Sequence, residues 1–310
     1  MAVSFCCKIS LILAINCLYE FEKLPSNITF KVMTWNILHG GNDLENGKLS
    51  VIEIIREINP DVILMVETYG SGKLIADSLG YNFHLIAPES TPLDDEKTNL
   101  SILTKYSFGN RIDTPYPFYL GGIEIWINNQ KIRFLCNWFH YLPWEDEPEK
   151  LGKTTQELLE WEKSGLKYEM IQKVLPHIIQ FTEEADSIPL VIGGDFNTLS
   201  HLDWGDQTKS LHNNLIVPWY ATKVLEDIGL IDSYRTIHPN PLTHPGITWH
   251  TKGMNDAHRI DYIFYKSPKL RPIYAETYMS YFNENFLLHE KKFTYPSDHG
   301  ILVTTFELKQ

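Results

Sequence analysis

The sequence predicts an α/β fold with mixed β-sheets. From residue 30 onward, short apolar runs rich in β-branched residues alternate with longer segments of helical periodicity. Two of the apolar runs, 123–127 and 132–137, flank Asn128-Asn129, which is typical of a β-hairpin. Hairpin strands pair antiparallel, whereas strands that alternate with helices favour parallel pairing, so both kinds of pairing are expected in this chain.

The other elements follow from periodicity and from the residues that end them. Residues 31–37 are predicted to form a strand, and residues 49–58 an amphipathic helix that Asn59-Pro60 ends. Residues 154–184 are expected to be mostly helical, with interruptions at Gly165 and Pro176. The remaining strands are predicted at 61–66, 100–103, 190–194, 259–265 and 300–306, and a further helix at 219–228.

Composition indicates one large domain without disulfide support. The chain has 310 residues, of which 43% are hydrophobic, and no linker or repeat follows residue 30, so a single domain is expected over residues 29–310. Cys136 is the one cysteine in this stretch, so core burial must hold the fold together. The formal net charge of −12 favours small or neutral substrates, or a bound metal ion, over a long nucleic acid.

Residues 1–20 have the character of a signal or N-terminal apolar segment. Lys8 precedes an apolar run at 9–18, which is too short to cross a bilayer and has the proportions of a signal-peptide core. Cys17 raises lipid anchoring as an alternative, although Asn16 before it is a poor fit for lipoprotein processing. We therefore expect export in a secreted, periplasmic or lipid-anchored form, with a cytoplasmic location as the alternative.

The most informative stretch runs from Leu190 to Asn197, where an apolar run ends in two glycines and then offers a carboxylate and an amide. Strand residues alternate sides, so Asp195 and Asn197 are expected to point the same way, with Phe196 turned back into the core. The glycines would let another backbone or a substrate approach closely. The alternative is a buried strand followed by an Asx turn.

Polar residues recur at the other predicted strand ends, and they are of the kinds that bind metals, carry protons or donate amide hydrogen bonds. Buried strand ends rarely carry carboxylates without a partner, so this repetition predicts a site at one edge of the sheets. Three alternatives stay open: Asp261 could pair with Arg259, Glu67 could cap a helix near Ser71, and Asp298-His299 could be a simple turn. The candidates are Asn36, Glu67, His140, Asp195, Asn197, Asp261, Asp298 and His299.

In their order along the chain, these residues resemble the endonuclease/exonuclease/phosphatase (DNase I-like) superfamily, which includes DNase I-like nucleases, sphingomyelinases and inositol polyphosphate 5-phosphatases. The resemblance implies an α/β four-layer sandwich of two mixed β-sheets flanked by helices, with the active site at one edge of the sheets. The matching segments are Thr34-Trp35-Asn36, Val66-Glu67-Thr68, Asn137-Trp138-Phe139-His140, Gly194-Asp195-Phe196-Asn197, Arg259-Ile260-Asp261-Tyr262 and Ser297-Asp298-His299.

The same resemblance implies a divalent cation, Mg²⁺ first with Mn²⁺ or Ca²⁺ as alternatives, bound chiefly through Glu67. Asn36 and Asp298 would complete the surroundings of the metal. Mg²⁺ suits such a site because it accepts one or two carboxylates and takes its other ligands from water and substrate phosphate. By similarity, Asp195 would orient or deprotonate the attacking water.

The remaining roles follow from the same resemblance. His140 and His299 would contact the phosphoryl group and stabilise its developing charge, and Asn36 and Asn197 would hold phosphate oxygens. Asp261 would accept a hydrogen bond from His299 and favour its protonated form. The catalytic set is thus His140, Asp195, Asn197, Asp261 and His299, and the substrate-binding set is Asn36, His140, Asn197 and His299.

The leading hypothesis is a metal-dependent phosphodiesterase acting on a small molecule or lipid headgroup rather than nucleic acid. Leu38 stands where some nuclease members carry an extra acidic residue, and Asp256-Ala257-His258-Arg259 replaces a sequence element of the inositol 5-phosphatases. The alternatives are a DNA or RNA nuclease, which would need a basic stripe beside the site, and a non-catalytic binding protein. No stable protein partner is inferred, and the oligomeric state stays open.

Overall fold

Two six-stranded sheets pack face to face in the computed structural model, which describes residues 28–143, 152–250 and 257–309. The strands are β1 Ile28–Asn36, β2 Val62–Val66, β3 Asn82–Leu85, β4 Leu100–Thr104, β5 Ser107–Ile112, β6 Leu120–Ile127, β7 Gln130–Trp138, β8 Leu190–Asp195, β9 Ile231–Asp232, β10 Asp261–Lys266, β11 Leu270–Tyr278, β12 Asn285–Leu288, β13 Lys291–Thr294 and β14 Ile301–Leu308. The helices are α1 Gly47–Ile58, α2 Gly72–Leu79, α3 Thr155–Glu162, α4 Leu166–Glu183, α5 Tyr220–Asp227 and α6 Ser233–Ile237.

Both sheets are mixed, as the sequence predicts. One sheet has the strand order β11-β14-β1-β2-β4-β3, with β1 and β2 parallel and the other pairs antiparallel. The other sheet has the order β5-β6-β7-β8-β10-β9, in which β7 and β8 are the parallel pair. A separate two-stranded hairpin joins β12 and β13.

The four layers follow from which face of each strand is apolar. Val32, Leu64 and Val191 lie in the core between the sheets, because alternate residues of β1, β2 and β8 point inward. The outer face of the first sheet packs on α1, and that of the second packs on α4, which buries Ile178 beside Ile192. The predicted sandwich of two sheets flanked by helices is thus confirmed.

One predicted helix interruption is confirmed and the other is wrong. Gly165 separates α3 from α4, but Pro176 lies inside α4. Pro176 is exposed, so the carbonyl four residues earlier, at Gln172, can be solvated, while Val174 and Ile178 pack into the core and hold the helix. Water can therefore replace the missing hydrogen bond on the exposed side of the helix.

Sequence periodicity missed several short or irregular elements, of which β11 is the longest. A proline normally argues against a strand, yet β11 contains Pro272 and has a register shift between Pro272 and Tyr274. It is an edge strand, where a missing N–H donor costs little. The other missed elements are β3, β5, β9, β12, β13 and α6.

The expected apolar segment at residues 1–20 lies outside the described residues, as do positions 144–151 and 251–256. Within the described ranges, no helix combines the length and the apolar character needed to span a bilayer.

Gly194 shows why two glycines precede the polar strand end. Its φ is +155°, and in the parallel pairing of β7 with β8 it lies opposite Asn137. A Cβ at position 194 would lie 1.9 Å from the carbonyl oxygen of Asn137, which is backbone and cannot move aside. The glycine is therefore required by the close approach of these two strands, as the sequence predicts.

Replacing Gly194 with Ala is accordingly expected to lower the free energy of unfolding by about 3 kcal/mol, because the backbone must shift to relieve the overlap. Urea denaturation followed by circular dichroism measures this loss. Gly205→Ala is the control, since a Cβ at Gly205 would meet no atom within 4 Å. Equal stability of the two variants would contradict this account of the strand contact.

Candidate active site

The candidate site lies where the inner faces of the two sheets end side by side. Asn36 is the last residue of β1, Asp195 is the last residue of β8, and Asp261 is the first residue of β10. Asp195 and Asp261 are paired across the antiparallel β8–β10 ladder, and Asn36 Nδ2 donates to Asp195 Oδ2 at 3.2 Å. This last hydrogen bond connects the ends of the two sheets.

Asp195 and Asn197 point the same way, as predicted. The Asn197 backbone N–H donates to Asp195 Oδ1 at 2.9 Å, and Asn197 Nδ2 donates to Asp195 Oδ2 at 2.8 Å. The first of these bonds closes an Asx turn. The segment is therefore both an Asx turn after a buried strand and a strand end that presents a carboxylate and an amide on one side. Asn197 has a left-handed backbone with φ 46°, and Phe196 is fully buried against Phe139 and Tyr262.

His299 joins the two buried aspartates. Its Nδ1 lies 3.0 Å from Asp261 Oδ2, and its Nε2 lies 3.8 Å from Asp195 Oδ2. Burial would lower the pKa of His299, but the negative charges of Asp261 and Asp195 outweigh it and hold that pKa well above its usual range. Burial also raises the pKa of Asp195 to about 8, against the opposing charge of His299. The arrangement favours an imidazolium between two acidic groups.

Glu67 lies one residue beyond β2, and its backbone is left-handed with φ 55°. Strand alternation would put it on the outer face, because Val66 points into the core between the sheets. The left-handed turn instead accompanies a bond from Asn36 Nδ2 to Glu67 Oε1 at 3.0 Å, and the Glu67 N–H donates to Asn99 Oδ1 at 3.1 Å. Glu67 is therefore held at the site, and the alternative that it caps α2 is wrong.

The Asn36 side chain holds the carboxylates at this corner through its amide nitrogen, which donates hydrogen bonds to them, and its oxygen faces the backbone. One amide nitrogen serves both Glu67 and Asp195, while Asn36 Oδ1 accepts from the Leu38 N–H at 3.0 Å. Ser297 Oγ donates to the Asn36 carbonyl at 2.7 Å and accepts from the His299 N–H at 3.0 Å. Asn36 is thus positioned to orient two carboxylates, and its predicted role as a metal ligand stays a prediction.

His140 lies beside this cluster. The preceding residue, Phe139, is tied to the site twice, through its N–H to the Asp195 carbonyl at 2.9 Å and through its carbonyl to Asn197 Nδ2 at 3.0 Å. The His140 ring accepts from the Leu142 N–H at 3.0 Å and contacts its aromatic neighbours. In the described part of the chain no hydrogen bond joins this ring to Asp195, so its phosphoryl contact stays a prediction.

Asp298 brings a further negative charge to the site. Its Oδ1 is buried and has no hydrogen-bond partner among the described residues. Its charge raises the pKa of both His299 and His39, so the carboxylate acts on both sides of the cluster. A buried carboxylate oxygen without a protein partner is a position that a bound cation or water would satisfy.

The Asp261–Arg259 pairing that the sequence left open is wrong. Arg259 Nε donates to Asp203 Oδ2 at 2.8 Å, and Arg259 Nη1 donates to Asp232 Oδ2 at 2.5 Å. Arg235 also donates to Asp203, at 2.6 Å, and its side chain is buried rather than on the surface. The sequence-based interpretation missed this network because none of its four partners is adjacent to another along the chain.

Other supporting residues were missed for a similar reason, although Asn99 carried a signal. It directly precedes β4, so it too is an amide next to a strand end. Thr248 Oγ1 accepts from the Asp261 N–H at 3.0 Å, a loop contact that no periodicity indicates.

By its chemistry, a hard divalent cation would take oxygen donors from Glu67 and Asp298 rather than from the buried group of Asp195, Asp261 and His299. One ligand atom each from Asp195, Asp261 and His299 lies within 4.8 Å of the others. However, His299 Nδ1 is bonded to Asp261, and a protonated imidazole has no lone pair for a metal. Glu67 and the unpartnered oxygen of Asp298 are the carboxylate donors that Mg²⁺ would accept.

A family profile and a relative match most of this chain. The profile of the Endonuclease/Exonuclease/phosphatase family matches residues 33–299. The chain is 30% identical to "Uncharacterized protein F14F9.5" of Caenorhabditis elegans over 93% of this chain and 94% of that protein.

Solved structures show the same fold. One is D. rerio TDP2 complexed with single strand DNA product, with a TM-score of 0.57, 16% identity, and coverage of 90% of this chain and 99% of that one. Another is an AP endonuclease from Archaeoglobus fulgidus, with a TM-score of 0.55, 19% identity, and coverage of 89% and 98%. At these identities the likeness concerns the fold alone.

Proposed function

This chain belongs to the endonuclease/exonuclease/phosphatase family, and on that premise we propose that it is a divalent-metal-dependent phosphodiesterase in which Asp195 orients the attacking water. Members of this family are typically metal-dependent phosphoester hydrolases. The observation that carries the proposal is the position of Asp195, which is buried, is bonded to Asn36 and Asn197, and lies next to His299.

Each side chain has a distinct task in this proposal. A cation bound by Glu67 and Asp298 would polarise the phosphoryl group and lower the pKa of bound water. Asp195 accepts a proton from water, and a raised pKa suits a general base that works near neutral pH. His299, held as an imidazolium by Asp261, donates to a phosphoryl oxygen and offsets its developing charge.

Charge balance favours a diester over a monoester. Four carboxylates, those of Glu67, Asp195, Asp261 and Asp298, lie at the site, and His299 is a cation that contacts Asp195 and Asp261. A monoester would bring two negative charges to this place, whereas a diester brings one. Arg259, two residues before Asp261, is paired with Asp203 and Asp232 and does not add a positive charge for a second phosphate oxygen.

An aromatic strip beside His140 supports a second candidate, hydrolysis of a nucleotide-containing substrate. Phe118 and Trp138 lie 5.7 Å apart between ring centroids, Trp138 and His140 lie 5.7 Å apart, and His140 stacks on Tyr141 at 4.7 Å. Phe118 and Tyr141 are 37% and 48% exposed, so planar groups can reach them. Such strips stack bases, but the net charge of −12 favours a small substrate over a long strand.

The proposal is tested by a substrate panel of bis(p-nitrophenyl) phosphate, sphingomyelin, inositol phosphates, DNA and RNA, each with Mg²⁺, Mn²⁺ or Ca²⁺ and with EDTA. We expect a diester to be hydrolysed with metal and not with EDTA. Activity on polynucleotide that falls steeply with added salt would favour the nuclease instead. If no phosphoester in the panel is cleaved under any condition, the proposed phosphodiesterase activity is contradicted.

Glu67→Gln should lower the metal-dependent rate about a hundredfold, because the charge that holds the cation is lost while the shape is kept. Steady-state rates over a Mg²⁺ titration measure this change, and higher Mg²⁺ should restore part of the rate. Glu53→Gln, on the exposed face of α1, is the control and should behave like the parent. A Glu67 variant with an unchanged Mg²⁺ requirement would move the metal elsewhere.

A further inference from the structure

His39, which the motif comparison did not single out, lies next to Glu67. Its backbone N–H donates to Glu67 Oε2 at 3.1 Å, and its Nε2 lies 4.0 Å from the same oxygen. The imidazole is 60% exposed, so one side of it is open to solvent and to small ions. The candidate metal site therefore has a nitrogen donor at its mouth.

The orientation of this ring leaves Nε2 available. His39 Nδ1 lies 2.9 Å from Asp43 Oδ2, and an ionised carboxylate only accepts, so Nδ1 carries the hydrogen. The hydrogen bond to Asp43 raises the pKa of His39 and so makes the ring more basic, and in its neutral form the ring presents the lone pair of Nε2 toward Glu67. A histidine that is hydrogen-bonded to a carboxylate through one nitrogen and binds a metal through the other is a common arrangement.

The separation of Nε2 and Glu67 Oε2 suits two ligands of one ion. At 4.0 Å it is too long for a hydrogen bond. With metal–ligand bonds of about 2.1 Å, two donor atoms lie about 3.0 Å apart when adjacent in an octahedron and about 4.2 Å apart when opposite. The observed 4.0 Å is near the larger of these values, so there is room for one ion between the two atoms.

The backbone around this spot is held in an unusual conformation. Leu38, His39, Glu67 and Tyr69 all have positive φ, at 51°, 48°, 55° and 33°. That conformation is unfavourable for residues other than glycine. Such residues cluster at ligand sites, where the surrounding structure fixes them. Asp298 lies near enough to raise the pKa of His39, and its buried Oδ1 has no hydrogen-bond partner among the described residues.

We propose that His39 is a nitrogen ligand of the divalent cation held by Glu67, so that this site binds Zn²⁺ more tightly than Mg²⁺. Imidazole suits Zn²⁺, whereas an all-oxygen site suits Mg²⁺ and Mn²⁺. The inference rests on the proposed metal site at Glu67 and adds the ligand that sets its metal preference.

Pulsed electron paramagnetic resonance of the full chain loaded with Mn²⁺ tests this directly, because a coordinated imidazole gives a ¹⁴N coupling. His39→Asn should remove that coupling and weaken Mn²⁺ binding at least about tenfold, since even losing an outer partner of a ligating histidine has an effect of that size. Asn tolerates the positive φ. Asp43→Asn, which keeps the imidazole, should weaken Mn²⁺ binding about tenfold.

His289→Asn is a closely matched control. His289 has φ 47°, is 59% exposed, and pairs through Nδ1 with Glu57 at 3.1 Å, yet it lies away from the site. It should leave both the coupling and the affinity unchanged. The inference is overturned if the parent protein shows no ¹⁴N coupling, or if the coupling persists in His39→Asn. Even then, Mn²⁺ binding that depends on Glu67 would still support the proposed metal site. Mn²⁺ binding that Glu67→Gln leaves intact overturns both.

Discussion

Asp195→Asn is expected to lower kcat for diester hydrolysis about a thousandfold, which is the effect of losing a positioned general base. The substitution preserves the size of the side chain but removes the oxygen that can accept a proton from water. It also places an amide N–H₂ near the donors of Asn36 and Asn197, which now face a carboxylate. Single-turnover kinetics with bis(p-nitrophenyl) phosphate separate this chemical step from substrate binding.

The control for this experiment is Asp206→Asn. Asp206 has an 81% exposed side chain and pairs with Lys209 at the surface, so its loss should leave kcat unchanged. Mn²⁺ affinity of Asp195→Asn should stay within a few-fold of the parent, because Glu67 holds the metal in our proposal. If Asp195→Asn retains the parental rate, another group activates the water and the proposed role is wrong.

Arg259→Met is expected to lower the free energy of unfolding by about 3–5 kcal/mol, the usual effect of leaving a buried charge without its partner. Arg259 and Asp232 both have 1% exposed side chains, and Arg259 also serves Asp203. Removing the guanidinium strands the Asp232 carboxylate in the interior. Chemical denaturation with a linear extrapolation gives the change.

Arg271→Met is the matched control for the buried pair. Arg271 pairs with Glu307 at 2.6 Å, but its side chain is 57% exposed, so we expect a change of at most about 1 kcal/mol. Adding Asp232→Leu to Arg259→Met should restore part of the stability, because no unpaired carboxylate then remains inside. If the two arginine substitutions lowered the free energy of unfolding equally, burial of the ion pair would not explain the effect.

The buried network also bears on the site, because Arg259 lies two residues before Asp261. Its bonds to Asp203 and Asp232 tie the start of β10 to the loop after β8 and to the end of β9. Asp232 also caps α6 by accepting from the Arg235 N–H. The two arginines and two aspartates balance in charge, so the network holds this edge of the sheet without adding net charge to the site. Arg259 is therefore a positioning residue in our interpretation.

Local patterns were sufficient for the main strands and for most of the candidate site. Apolar strands end at Asn36 and Asp195, and another begins at Asp261, so polar residues at strand ends were a signal for the place where the two sheets meet. The turn at Asn197 was also within reach, because an Asx turn needs residues only two positions apart. Short edge strands such as β9 have too few residues for a periodic signal.

The partners of the charged side chains depend instead on contacts between distant segments. Which aspartate neutralises Arg259, which oxygen of Glu67 meets Asn36, and that His39 faces Glu67 all require the register of two sheets and several left-handed residues. Periodicity reports only the side of a strand that a residue occupies. Residue types and strand ends thus specify the chemistry of this chain, whereas sheet packing selects the pairs, because hydrogen bonds and ion pairs form over about 3 Å.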